Sequence, residues 1–155
     1  MIKEAIKNHF KLEKELLENT PRIKPLTLFF IDNIEMYRKT DGIGELQTKL
    51  EEYAKIEIEL LLADKTIKES YREYLKISLK NLRQLHGGYF SKDNKDTDEN
   101  IEQEIDEILH DKVTLLSLEN PRRFIVSKWT LKEGWDNPNI FQICKLRSSG
   151  SETSK

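Results

Sequence analysis

The chain has 155 residues, 37% hydrophobic and 35% charged, with a formal net charge of −2. That length sets one domain as the default, and so polar a mixture fits long amphipathic helices with solvated faces, or a piece whose partner domain lies elsewhere. The charge balance excludes bulk attraction to polyanions, the single cysteine excludes an intrachain disulfide and a thiolate zinc cluster, and no apolar stretch approaches a membrane span.

The N-terminus, Met1-Ile2-Lys3-Glu4, is charged and has no signal-peptide core, so a cytoplasmic protein is the simplest expectation. Ile2, Ala5, Ile6, His9, Phe10, Leu16 and Leu17 then recur at helical spacing, and Asn19-Thr20-Pro21 ends that helix. Residues 26–31, Leu-Thr-Leu-Phe-Phe-Ile, form a near-continuous β-branched and aromatic run, the pattern of a buried parallel strand. Asp41-Gly42-Ile43-Gly44 reads as a loop. A long helix follows, with Leu46, Leu50, Tyr53, Ala54, Ile58, Leu61 and Leu62 on one face. A second covers about 68–83 with Tyr71, Tyr74, Leu75, Leu79 and Leu82.

Leu85-His86-Gly87-Gly88-Tyr89-Phe90 reads as a short strand or turn, and residues 91–100 as a mobile polar loop. Ile101, Ile105, Ile108 and Leu109 predict another helix. Residues 123–128 and 140–146 predict strands, and the apolar-free tail 148–155 predicts disorder. Strands alternating with helices imply an α/β sheet with helices packed on it.

Charge is uneven. Residues 93–111 hold nine acids against Lys95 alone. Residues 122–155 hold seven bases (Arg122, Arg123, Lys128, Lys132, Lys145, Arg147, Lys155) against three acids. Any polyanion contact should therefore lie toward the C-terminal end. Cys144, inside an apolar run, reads as a small buried residue. His9 and His110 fall on helical faces and read as packed or surface histidines. Asp96, Asp98, Asn100 and Glu107 imitate a calcium loop, but Ile101 stands where that loop needs Gly. Gly42-Ile43-Gly44 lacks the third glycine of a dinucleotide loop. Asp93-Asn94-Lys95 imitates part of a nuclease centre but sits in a polar loop.

The most informative stretch is Phe124-Ile125-Val126-Ser127-Lys128-Trp129-Thr130-Leu131-Lys132-Glu133-Gly134-Trp135-Asp136-Asn137-Pro138-Asn139-Ile140-Phe141. A β-type run leads into a polar turn, and a second β-type run follows. The layout puts Gly134 and Asp136 at the mouth of a sheet, where open α/β folds bind ligands. A glycine there lets the backbone approach a ligand, and a carboxylate two residues on can accept from a hydroxyl or a metal-held water. The bland alternative is an ordinary turn; Trp129 and Trp135 are likewise packing residues before they are base-stacking ones.

This stretch closely resembles motif V of superfamily 2 helicases, in the form carried by the restriction (translocase) subunit of type III restriction-modification enzymes. Leu28-Phe29-Phe30-Ile31-Asp32-Asn33 resembles motif IV. His86-Gly87-Gly88-Tyr89-Phe90-Ser91 is similar to the segment that in helicases lies near the nucleic-acid track, and residues 143–152 to the approach to motif VI. Where many helicases have Thr-Asp, this chain has Lys128-Trp129, as type III subunits do. The resemblance then implies a lysine contact to DNA phosphate in place of a hydroxyl contact.

The fold implied is an incomplete RecA-like (P-loop NTPase-like) second helicase domain. It would have a mostly parallel sheet flanked by helices, residues 2–18 as a leading helix, 40–84 as a helical insertion and 148–155 as a tail. The resemblance places Gly134 and Asp136 in a nucleotide cleft, and His86, Gly87, Gly88, Lys128 and Thr130 nearer a DNA path. It implies ATP and magnesium for the intact parent, with DNA and a modification (methyltransferase) subunit as partners.

Three parts of such a motor are missing from the 155 residues. There is no Gly-x-x-x-x-Gly-Lys-Ser/Thr loop. Asp98-Glu99 and Asp106-Glu107 belong to a helical pattern, not to a strand end. The Gln-x-x-Gly-Arg-x-x-Arg of motif VI does not occur. The expectation is therefore a fragment inactive alone, with no catalytic residue, metal or cofactor of its own. A DNA-binding module or a subunit-interaction module docking through residues 44–83, with self-association open, is the alternative.

Overall fold

The computed structural model describes residues 1–19, 23–39, 41–90, 107–108, 110–128 and 138–147. Helix α1 (Ile2–Leu17) leads into strand β1 (Leu26–Ile31). A two-stranded antiparallel hairpin follows, β2 (Arg38–Lys39) and β3 (Gly42–Ile43), and then helices α2 (Glu45–Leu62) and α3 (Glu69–Lys80). Strand β4 (His86–Tyr89), the short helix α4 (Lys112–Leu115), β5 (Phe124–Lys128) and β6 (Ile140–Leu146) complete the described fold. The main sheet has the order β4-β5-β1-β6, and every neighbouring pair is parallel. This is a mixed α/β fold with a four-stranded parallel sheet flanked by helices, the class that the residues imply.

Parallel strands need crossover connections, and covering both faces makes their sequences near-continuously apolar. β1 obeys this: Leu26, Leu28, Phe29 and Ile31 are buried on both sides. Phe29 and Ile31 face a large core with Phe124, Val126 and Leu146, closed by Ile6, Phe10 and Leu17 of α1, Leu50, Ala54 and Ile58 of α2 and Tyr71, Tyr74 and Leu75 of α3. Leu26, Leu28 and Ile125 face a smaller core with Ile108 and Leu115.

The strand register defines two edges. At the amino edge, His86 pairs with Phe124 and Thr27 with Phe124. At the carboxyl edge, Ile31 lies between Lys128 and Leu146. The chain thus leaves β5 at the carboxyl edge and re-enters β6 at the amino edge, where Leu26 N–H donates to Asn139 O (2.8 Å). The pairing of β6 with β1 slips between Leu26 and Thr27.

One expectation needs correction. Arg38 and Lys39 pair antiparallel with Ile43 and Gly42, where the sequence reads as a loop over Asp41-Gly42-Ile43-Gly44. Gly44, just after β3, is held tightly: a Cβ there would lie 2.1 Å from Met36 O, so no larger residue fits. The predicted mobile loop 91–100, most of the helix over 99–110 and the tail 148–155 lie outside the described residues.

Candidate functional site

β1 and β5 stand side by side, and their carboxyl ends, Ile31 and Lys128, are register partners. Asp32 and Asn33 continue from β1 at this edge, and Asn33 Oδ1 accepts from Glu35 N–H (3.0 Å), starting a 3₁₀ turn. The turn carries Tyr37 back over the sheet. Arg38 stacks its guanidinium 5.2 Å above the Tyr37 ring and 5.6 Å above the Phe90 ring. Ser127 Oγ donates to Tyr89 O (2.9 Å), tying the end of β4 to the end of β5. Among the described residues no group of His, Cys, Asp or Glu could hold a metal ion.

Lys128 is half-buried at the last position of β5. Thr130, Gly134 and Asp136, with Trp129 and Trp135, lie outside the described residues. His86 sits at the opposite end of the sheet from Lys128, about 13 Å along the strand direction, and is fully buried. Its Nε2 lies 2.7 Å from Glu51 Oε2 and its Nδ1 2.7 Å from Tyr37 Oη. A carboxylate only accepts, so Nε2 carries the proton donated to Glu51. Gly87 pairs with Ile125, and Gly88 with Val126. A Cβ on Gly88 would come within 2.7 Å of the Phe90 ring and 2.8 Å of the Tyr37 ring. His86 and Gly88 therefore build the aromatic wall behind the edge, and Lys128 stands on the edge itself.

The structure also holds a buried polar relay that periodicity does not reveal. Glu13 lies on the apolar stripe of α1 and is fully buried with His9 and Arg123. Arg123 donates from Nε to Glu13 Oε1 (2.6 Å) and from Nη2 to Oε2 (3.1 Å), and Tyr71 Oη donates to Oε2 (2.9 Å). Arg123 Nη1 donates to Ser78 Oγ (2.7 Å) and Pro121 O (2.9 Å). Burial pushes the Glu13 carboxyl up, but Arg123 and then His9 outweigh it and hold the group at about 2. Burial pulls His9 below its ordinary value, so its ring is neutral. Nε2–H donates to Glu13 Oε1 (3.0 Å), and Nδ1 accepts from Thr27 Oγ1 (2.8 Å), which itself accepts from Gln142 Nε2 (3.0 Å). The relay crosses β5, α1, β1 and β6 and pins their amino halves together.

Nearby, Lys24 Nζ donates to Leu115 O (2.6 Å), Asn120 O (2.8 Å) and Ser117 O (3.2 Å). Its ammonium ties α4 and the loop after it to the start of β1. Burial and the proximity of Arg123 lower it to about 7.

These contacts revise three expectations. Arg123 belongs to the core, and Arg122 Nε is engaged by Glu107 Oε2 (2.7 Å), so neither contributes to a basic surface. The α2 stripe is turned inward: Leu46, Leu50, Ala54 and Ile58 are buried, while Ile56 and Leu60 on the outer face are exposed. Cys144 is only half-buried, on edge strand β6. No helix among the described residues is long and apolar enough to cross a membrane.

No protein-family model matches the chain. Over its whole length it is 66% identical to the type III restriction-modification enzyme EcoP15I Res subunit of Escherichia coli, and 65% identical to the EcoPI Res subunit of Escherichia phage P1. It is 44% identical to the StyLTI Res subunit of Salmonella typhimurium. The chain spans 16% of the length of the first two relatives and 18% of the third. The resemblance carried by the motif V and motif IV segments thus extends along the entire sequence.

Proposed function

We propose that this stretch, similar throughout to one-sixth of a type III Res subunit, serves as most of the second RecA-like domain of such a subunit's ATP-driven DNA motor. Whole-chain identity to three Res subunits supports the reading. The observation that carries it structurally is the parallel pairing of β1 with β5, which brings the chain to the carboxyl edge of the sheet at Lys128. Ligands of open α/β sheets bind outside that edge.

In this reading Gly134 and Asp136 face a nucleotide cleft whose other wall belongs to a separate domain. Bound ATP with magnesium supplies the energy of movement on DNA. Gly134 lets the backbone close on the nucleotide, and Asp136 accepts from a hydroxyl or a metal-held water. Lys128 and Thr130 reach toward DNA phosphate. His86, Gly87 and Gly88 act on the DNA path through Tyr89, the end of β4, and Phe90 beyond it. The parent works in the cytoplasm with DNA and a modification (methyltransferase) subunit. The 155-residue chain alone neither hydrolyses ATP nor cleaves DNA, since its sequence has no phosphate loop and no motif VI.

A chimera tests this: the 155 residues replace the matching segment of a related full-length Res subunit. ATP-dependent DNA cleavage with the modification subunit is the expected result. A chimera that folds and assembles but hydrolyses no ATP contradicts the reading. A non-catalytic DNA-binding role is the second reading, favoured by the position of Lys128, the last residue of β5, and Arg147, the residue that follows β6, on either side of β1. It requires salt-sensitive binding by the isolated chain that Lys128→Ala with Arg147→Ala removes; no binding at low salt dismisses it.

A further inference from the structure

We propose that the solvent face of α1 is a binding surface for the phosphate backbone of duplex DNA, with Lys3, Lys7 and Lys11 as its contacts. The three are exposed and recur at i, i+4 and i+8 of one helix, so their side chains form a single row. Lys14, half-buried and 4.0 Å from Asp64, continues it. At about 1.5 Å per residue the row from Lys3 to Lys11 is about 12 Å long. One strand of duplex DNA places a phosphate about every 3.4 Å along its axis, so the row spans about three or four of them.

Little on the protein opposes this row. In the other long helices exposed lysines have a glutamate one turn away: Lys49 with Glu45 in α2 (3.6 Å) and Lys76 with Glu73 in α3 (3.7 Å). Among the described residues Lys3, Lys7 and Lys11 have no ion-pair partner. Each instead has another lysine four residues away, an arrangement that destabilises a helix. Lys3 also stands in the first turn, where a cation opposes the helix dipole. Local conflicts of this kind are expected at functional sites. A count along the sequence hides the row, because residues 2–18 contain four lysines and four glutamates. Folding separates them. Glu13 is buried against Arg123, Glu18 Oε2 accepts from Lys68 N–H (2.7 Å), and helix geometry sets Glu4 and Glu15 together to one side of the row.

The chemistry of the face selects the occupant. A protein partner needs large anchoring side chains at the centre of its contact, and none of the exposed large hydrophobic residues lies within α1. A phosphate backbone needs no such anchor: ammonium groups meet phosphates as point charges and release their counterions. The aromatic rings of α1, His9 and Phe10, are buried, so no ring is offered to an unpaired base, which favours a duplex over a single strand. Contacts to phosphate carry no base information, so binding here is independent of sequence. This inference does not rest on the nucleotide-cleft reading.

Fluorescence anisotropy of a labelled mixed-sequence DNA duplex, titrated with the 155-residue chain over a series of salt concentrations, tests the surface. Lys3→Gln, Lys7→Gln and Lys11→Gln together should weaken binding at least tenfold at low salt. They should also reduce the slope of log affinity against log salt by about 2.7, three contacts at about 0.9 each. The circular dichroism spectrum should be unchanged, and arginine at the same three positions should retain the wild-type slope. Lys76→Gln, Lys80→Gln and Arg83→Gln, all at exposed positions, make the same change in net charge and should leave the slope as it is. Lys128→Ala with Arg147→Ala should leave the α1 contribution in place. No binding by the wild type at low salt overturns the proposal, as does an unchanged slope in the α1 glutamine variant. Equal loss in the charge-matched α3 variant, or abolition of binding by the Lys128→Ala and Arg147→Ala pair, also overturns it.

Discussion

Glu13 and Arg123 form a fully buried, two-point ion pair. Removing one member leaves the other charge buried without compensation, at a cost of about 3–5 kcal/mol, whereas apolar replacement of both is far milder. Glu13→Gln is therefore expected to lower the urea midpoint much more than Glu13→Leu combined with Arg123→Met. The carboxyl is held at about 2 against an ordinary 4.5. A depressed carboxyl contributes its stability above the ordinary value and loses it as pH falls toward the folded one. The wild type should lose stability between about pH 4.5 and 2, and the double variant should lose less there; matching pH profiles would rule the pair out as the source. Gly88→Ala is expected to cost about 1–3 kcal/mol through overpacking against Tyr37 and Phe90. An unchanged thermal midpoint would show that the aromatic wall yields.

At the scale of elements, α2 separates an inward face from an outer one. Leu50→Ala should cost about 2–5 kcal/mol, and Ile56→Ala about 0.5 or less in either direction. Similar losses for the two would mean that the outer face is covered as well. The elements differ in how visible they are before folding. β1, β5 and β6 carry β-branched or aromatic runs, and their sequence patterns mark them directly. The α1 and α2 stripes are readable from period alone, except that Glu13 sits within one of them. The pairing of β2 with β3 is hidden because strands of two residues, Arg38–Lys39 and Gly42–Ile43, show no period. The relay is hidden because Arg123 and Glu13 are 110 residues apart in sequence, and periodicity carries no information about such partners. The same blindness made Arg122 and Arg123 look like surface charge.

For the whole molecule, β5 ends at the carboxyl edge of the parallel sheet, and the 155 residues contain no phosphate loop and no motif VI. The isolated chain is expected to show no ATP turnover with or without DNA; turnover that survives purification from contaminating ATPases would reject the fragment reading. Gly134 and Asp136 are proposed from motif resemblance alone and lie outside the described residues, whereas the register of β1 with β5 fixes where the preceding strand ends. The most direct measurement is steady-state ATP hydrolysis by the full-length chimera with and without Asp136→Asn, with DNA binding measured in parallel. A nucleotide-facing Asp136 predicts at least about a tenfold loss of turnover, equivalent to about 1.4 kcal/mol of transition-state stabilisation, with DNA binding retained. Turnover unchanged by the substitution would contradict the assignment.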